Sequence, residues 1–179
     1  LLAGHETTAN ALTWTWLLLS QNQSVWERLV CELGDVLGDR PPDAADLPRL
    51  PYLKMIWNES LRLYPPAWSL HTRLADREDR LPSGAILPPG SWAFISPWNL
   101  HHNPHWFPDP AKFDPERFSD EATRTRPAYA YIPFGAGGRR STQPATLPRG
   151  RVPHGVLLRT GHPRPVVPSQ RGPTFVGRF

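Results

Sequence analysis

Residues 100–118 read Leu-His-His-Asn-Pro-His-Trp-Phe-Pro-Asp-Pro-Ala-Lys-Phe-Asp-Pro-Glu-Arg-Phe, and this stretch decides how the chain folds. Its prolines recur every few residues, which excludes a continuous helix and an interior strand. The charged pair Glu116-Arg117 stands between Phe113 and Phe118 in this coil. An arginine held in place by coil usually needs a buried acidic partner, and Glu59 is the obvious candidate.

The residues around Glu59 predict a helix over Tyr52 to Tyr64, which Pro65-Pro66 ends. In Glu59-Ser60-Leu61-Arg62 the acid and the base are three residues apart, so both side chains lie on one helix face and can pair through two hydrogen bonds. The spacing alone also fits an ordinary surface pair, which stabilises by at most about 1 kcal/mol.

Two further helices are predicted before this one. Apolar residues recur at helical spacing from Leu1 to Ser20. A second helix reaches about Leu37, with Ser24 as its N-cap and Glu27 completing a capping box.

The first helix carries Ala-Gly-His-Glu-Thr-Thr over residues 3–8. An acid beside an alcohol, here Glu6 and Thr7, suits proton delivery, because the carboxylate can relay protons that the hydroxyl positions. Gly4 leaves room for a ligand to approach the helix. An ordinary helix with a polar face explains the same hexapeptide.

Turn residues between Ala67 and Ser96 separate short extended pieces and predict a small sheet. From Pro97 to Phe134 we expect coil with short helical turns. The loop Pro-Phe-Gly-Ala-Gly-Gly-Arg-Arg at 133–140 combines three glycines with two arginines. It is not a phosphate loop, since neither a Lys-Ser/Thr pair nor a strand–helix frame accompanies it.

In this order and spacing, the four motifs make residues 1–140 resemble the C-terminal part of a cytochrome P450. The resemblance implies a mainly α fold with a small antiparallel β-sheet. It implies a buried charge network of Glu59, Arg62 and Arg117. It also implies that Glu6 and Thr7, beside Gly4, deliver protons to iron-bound dioxygen. The implied haem contacts are Arg73, Phe134, Gly137 and Arg139. The implied substrate pocket contains Trp68 and Leu70.

The resemblance ends at the haem ligand. The family places a cysteine where this chain has Ser141, and a glycine where it has Gln143. A serine hydroxyl is a far poorer iron ligand than a thiolate. Pro144 and Pro148 exclude the amphipathic helix that follows in the family. Our hypothesis is that residues 141–179 are an out-of-frame, disordered translation product; a genuine divergent tail is the alternative.

The implied reaction is insertion of one oxygen atom from dioxygen into an apolar organic substrate, with haem b as cofactor and a redox partner supplying electrons. The segment after Tyr64 most resembles bacterial enzymes acting on large apolar molecules such as carotenoids. We expect this chain to be incompetent, because it lacks the thiolate, the family's N-terminal part and the helix behind the ligand loop. A haem protein with another ligand, such as His71, is a further option.

Charge divides the chain into two parts. Residues 1–140 carry 14 Lys and Arg against 16 Asp and Glu, whereas residues 141–179 carry six arginines and no acid. A non-catalytic remnant whose basic tail binds a partner or nucleic acid is therefore the alternative function.

Three other features bear on the kind of protein. No apolar run is long enough to span a membrane, no signal peptide opens the chain, and Cys31 is the single cysteine. We expect a cytoplasmic protein. The histidines 101, 102 and 105 invite a metal site, but they match an ordinary turn of the family.

Overall fold

Three helices form the packed body of the computed structural model, which describes residues 2–70 and 72–136. Helix α1 spans Leu2–Gln21, α2 spans Gln23–Leu37 and α3 spans Pro51–Leu63. Proline is tolerated at the start of α3, because the first N–H groups of a helix have no partner within it. The predicted mainly helical fold is confirmed, with these helix ends within about two residues of expectation.

The junction between α1 and α2 differs from the prediction. Helix α2 begins at Gln23, so Ser24 lies inside its first turn and is not the N-cap. Asn22 holds the N-cap position, but its side-chain amide donates to the Leu18 carbonyl at 2.8 Å and so satisfies the end of α1. Glu27 accepts a hydrogen bond from Gln23 instead of closing a capping box. The predicted capping box was therefore wrong.

The hydrophobic core lies where the three helices meet. Removing a large apolar side chain from water contributes about 1.5–3 kcal/mol, and the core holds seven such residues from all three helices and the proline-rich segment. They are Leu18, Leu19, Leu29, Tyr52, Ile56, Leu63 and Phe113.

A carboxylate of α2 fixes the start of α3. Glu32 accepts the N–H groups of Tyr52 and Leu53 at 2.7 and 2.9 Å. The first N–H groups of a helix lack partners within the helix, and an acid there also meets the positive end of its dipole. Glu32 therefore anchors the helix that carries the charged residues described below.

The strands pair into two small antiparallel sheets. Strand β1 (Arg73–Leu74) pairs with β4 (Trp92–Ala93), and β2 (Asp79–Arg80) pairs with β3 (Ile86–Leu87). Gly90 has a φ of 81°, a left-handed conformation that glycine adopts without strain, and its turn leads into β4. The predicted antiparallel β structure is confirmed, as two separate two-stranded sheets.

The proline-rich segment is ordered coil with three short helical elements. They are α4 (Pro97–His101), a 3₁₀ helix at Pro115–Phe118, and α5 (Asp120–Thr125). The 3₁₀ helix packs against α3. In the described part of the chain, every helix is too short or too polar to cross a membrane.

Candidate functional site

A fully buried ion pair stands at the C-terminal half of α3. The Arg62 guanidinium donates two hydrogen bonds to the Glu59 carboxylate, from Nε at 2.7 Å and from Nη2 at 2.8 Å. Both side chains are 0% exposed. The i, i+3 spacing produces the pairing, and burial distinguishes it from a surface pair.

Arg62 also ties α3 to the proline-rich segment. Its Nη1 donates to the His101 carbonyl at 2.9 Å, and its Nη2 donates to the Lys112 carbonyl at 3.2 Å. One guanidinium therefore satisfies main-chain acceptors on both sides of residues 102–111. Only arginine offers enough donors in a fixed plane for these bonds.

Glu59 collects the other contacts of the network. Its Oε1 accepts the Asp114 N–H at 3.0 Å and lies 3.5 Å from the Arg117 Nε. That Nε has no hydrogen-bond partner among the residues that the structure describes, while the Arg117 Nη2 donates to the Asp109 carbonyl at 3.1 Å. The structure thus brings Glu59, Arg62 and Arg117 together.

The electrostatics of this network follow from its burial. Loss of water raises the pKa of the Glu59 carboxyl above its ordinary value, and hydrogen bonds from Arg62 and the Asp114 N–H, with the charge of Arg117, oppose that rise. A buried pair often adds little net stability, but removing one partner leaves an uncompensated charge and costs about 3–5 kcal/mol. The network therefore makes the docking of the proline-rich segment on α3 intolerant of substitution.

His101 is a buried residue of this site that sequence reasoning missed. It is 0% exposed, and its Nε2 accepts the Ile132 N–H at 2.9 Å, so it is neutral with the proton on Nδ1. Burial lowers the pKa of His101 to about 3, and the nearby Arg62 charge adds to the effect. Its Nδ1 is buried and has no hydrogen-bond partner in the part of the chain that the structure describes. His101 therefore connects α4 to the chain two residues before Phe134.

The three neighbouring histidines have different surroundings. His101 faces Tyr131 and Phe107, His102 stacks on Trp98, and His105 packs edge-on against Trp106. Among the described residues, no three His, Cys, Asp or Glu side chains stand close enough together to hold a metal ion.

The expected proton-delivery residues lie apart in sequence from this network, near the start of α1. Gly4, Glu6 and Thr7 are exposed there. The Thr8 hydroxyl donates to the Gly4 carbonyl at 2.8 Å, which is the back-bonding that loosens a helix ladder. A Cβ added at Gly4 would meet no atom of the described residues within 4 Å, so open space adjoins the helix there.

The residues expected at the substrate pocket and at the haem fall on the sheet region and the adjoining loop. Trp68 is 61% exposed, and the Leu70 N–H donates to the Ile95 carbonyl at 2.9 Å. Gly135, with a φ of 79°, brings the loop after Phe134 to within 3.7 Å of the Leu70 methyl groups, measured from the position of a Cβ. Arg73 is exposed on β1. The structure therefore joins Leu70 to the loop that holds Phe134.

The remaining expected cofactor residues, Gly137 and Arg139, lie outside the described residues, as do His71, Ser141 and the tail 141–179. The donor set can still be compared with a haem-thiolate site. Such a site needs a cysteine thiolate, and the only cysteine of the sequence, Cys31, is exposed on α2. The resemblance implies a ligand at residue 141, which is a serine in this sequence and lies outside the described residues. The one cysteine of the sequence, exposed on α2, does not fit the thiolate of such a site.

Comparison with known proteins agrees with the resemblance. The cytochrome P450 family model matches residues 1–140. Cyclooctatin synthase of Streptomyces melanosporofaciens is 47% identical over 140 residues, which are 78% of this chain and 30% of that protein. Cyclooctat-9-en-7-ol 5-monooxygenase of the same organism is 41% identical over the same shares of the two chains.

A solved structure gives the same result. A zebrafish cytochrome P450 with progesterone aligns with a TM-score of 0.68 and 34% identity, over 78% of this chain and 31% of that one. The chain therefore spans about 30% of the length of the curated relatives named above.

Proposed function

Because the chain belongs to the cytochrome P450 family, we propose that its first 140 residues are a segment of a haem-thiolate monooxygenase. The parent enzyme inserts one oxygen atom from dioxygen into an apolar organic substrate and receives electrons from a redox partner. The observation that carries this proposal is the match over residues 1–140, supported by 47% identity to cyclooctatin synthase. The family implies haem b as the cofactor.

The proposed roles of the individual residues follow from the resemblance to the family. Glu6 and Thr7 hold and move a proton at the exposed side of α1, where Gly4 leaves the space open. Trp68 and Leu70 supply apolar surface to the substrate. Arg73, Phe134, Gly137 and Arg139 are the proposed cofactor contacts.

Glu59, Arg62 and Arg117 are positioning residues in this proposal. They fasten the proline-rich segment to α3 through contacts with the carbonyls of His101 and Lys112 and with the Asp114 N–H. That segment leads directly into the loop carrying Phe134. The network thereby sets where the loop begins.

We further propose that Ser141 leaves this chain unable to activate oxygen. A serine hydroxyl stays protonated at neutral pH and cannot replace a thiolate as iron ligand. Cys31 offers no substitute, because it lies exposed on α2. No catalytic step through the haem is therefore assigned to this chain as it stands.

The charge of the tail favours a second candidate function. Six arginines without an acid in residues 141–179 suit non-specific binding of nucleic acid. Retention of the chain on immobilised DNA at low salt, lost as salt rises, would support this reading, provided that residues 1–140 alone are not retained. Equal elution of both chains at low salt would exclude it.

A chimera tests the monooxygenase proposal. Residues 1–140 replace the matching part of cyclooctatin synthase, which keeps its own cysteine ligand, and turnover is measured with that enzyme's own substrate and electron donor. We expect the chimera to turn over, and Glu6→Gln or Thr7→Val to lower turnover by about 10²- to 10⁴-fold, the usual contribution of a positioned proton donor. Substitution of Thr13, an exposed threonine on the same helix, is the matched control. A folded chimera whose turnover is insensitive to Glu6 and Thr7 would refute the proposed roles.

A further inference from the structure

A cavity of about 440 Å³ opens between residues 105–108, the 3₁₀ helix that carries Arg117, and α5. Trp106, Phe107 and two prolines give it apolar walls, and Arg117 and Arg126 are its cationic lining residues. Among the described residues, no aspartate or glutamate lines it. Its volume falls within the range of about 300–1,000 Å³ that is usual for small-molecule sites.

The positive charge beside this cavity exceeds the negative charge that faces it. Arg62, Arg117 and Arg126 all interact electrostatically with one buried carboxylate, Glu59. Arg62 holds that carboxylate through two hydrogen bonds, and Arg117 approaches it at 3.5 Å. Arg126 forms no ion pair with any described residue.

Arg126 is nevertheless held in one place. Its guanidinium carbon lies 4.9 Å from the Phe107 ring centre and 4.6 Å from that of Phe118, and the group donates a hydrogen bond to the Arg117 carbonyl. Burial lowers the pKa of Arg126 from its ordinary value, and the charge of Glu59 opposes that shift. A cation fixed between aromatic rings loses little entropy when it takes an anionic partner.

We propose that this cavity binds a carboxylate carried on a small apolar body. The guanidinium plane matches a carboxylate through two parallel hydrogen bonds, and the tryptophan, phenylalanine and proline walls suit an apolar group behind it. A neutral ligand of the same shape would leave the excess charge uncompensated. The site needs neither haem nor Ser141 and so does not depend on the proposed monooxygenase function.

Calorimetric titration of the full 179-residue chain tests this site, with benzoate as the probe and benzamide as its neutral counterpart. We expect benzoate to bind at least about tenfold tighter than benzamide. Arg126→Gln should abolish that preference. Arg124→Gln, which removes an exposed arginine of α5 that does not line the cavity, should keep it. Inorganic phosphate, which has no apolar body, should bind more weakly than benzoate.

A cavity-filling variant provides a second test of the site in case Arg126→Gln does not fold. Ala122→Phe keeps both arginines but places a ring into the cavity that Ala122 lines, so it should lose benzoate binding. No detectable binding, equal binding of benzoate and benzamide, or equal weakening by Arg124→Gln and Arg126→Gln would overturn the proposal. So would unchanged benzoate binding in Ala122→Phe.

Discussion

Replacing Arg62 with alanine is the perturbation whose cost the structure defines best. Arg62 makes four hydrogen bonds, two to the Glu59 carboxylate and two to the carbonyls of His101 and Lys112. Alanine would remove all four and leave the buried Glu59 with Arg117 as its remaining ion-pair partner among the described residues.

The expected loss of unfolding free energy is about 3–5 kcal/mol, the range for removing one partner of a buried ion pair. Because the Asp114 N–H and Arg117 remain close to Glu59, we expect the loss to lie near the lower end of this range. Even so, this is a large part of the stability of an ordinary domain, which is about 5–15 kcal/mol.

The Arg28–Glu116 pair supplies a matched control. It joins the same two residue types, but its side chains are 57% and 52% exposed. Exposed pairs contribute about 0–1 kcal/mol, and the Arg28 guanidinium over the Tyr52 ring adds about 0.5–1 kcal/mol. Arg28→Ala should therefore cost at most about 2 kcal/mol.

Urea unfolding followed by tryptophan fluorescence measures both variants, since the chain carries eight tryptophans. If Arg62→Ala leaves no folded state, Arg62→Lys replaces it in the comparison, because lysine keeps the charge but cannot bond both carbonyls and the carboxylate. Equal costs for the Arg62 and Arg28 variants would refute the claim that burial makes the Glu59 network intolerant of substitution.

Two further outcomes are expected. The pKa of His101 is about 3 in the folded chain and 6.5 in the unfolded chain. Between these pH values the unfolded chain binds more protons than the folded chain. The free energy of unfolding should therefore fall by at most about 1.4 kcal/mol per pH unit as the pH drops from 6.5 to about 3. His101→Gln should remove that slope in urea titrations, and an identical slope in both proteins would contradict the buried neutral histidine. Sequencing the gene across codons 138–145 should reveal a second frame that continues with Cys-x-Gly and an amphipathic helix; its absence would make the tail genuine.

Sequence patterns identified the parts of the site that depend on local spacing. The i, i+3 separation of Glu59 and Arg62 requires only a helix, and proline placement fixes where α3 ends. The hydrogen-bond partners of Arg62 outside α3 could not be predicted from the sequence. They are the carbonyls of His101 and Lys112, and every residue type has a main-chain carbonyl. Their positions depend on how the coil packs.

The prediction of where α2 begins was wrong for a similar reason. Ser24 and Glu27 fit a capping box by type, but the Asn22 amide bonds to the Leu18 carbonyl, so the chain resumes its helix after a single residue. Burial of His101 was likewise hidden, since a histidine in a proline-rich turn is usually exposed. Spacing alone could not associate Arg117 with Glu59, whose Oε1 lies 3.5 Å from the Arg117 Nε, because the two residues are far apart in the sequence.

The most direct test of the central claim is the absorption spectrum of the reduced carbon monoxide complex, recorded on two chimeras of cyclooctatin synthase that carry residues 1–140. One keeps that enzyme's cysteine directly after Arg140, and the other has serine there, as in this chain. We expect the red-shifted band of a thiolate-bound haem in the first chimera and no such band in the second. A thiolate-type band in neither folded chimera would show that residues 1–140 are not a working cytochrome P450 segment, and one in the serine chimera would contradict the role assigned to Ser141.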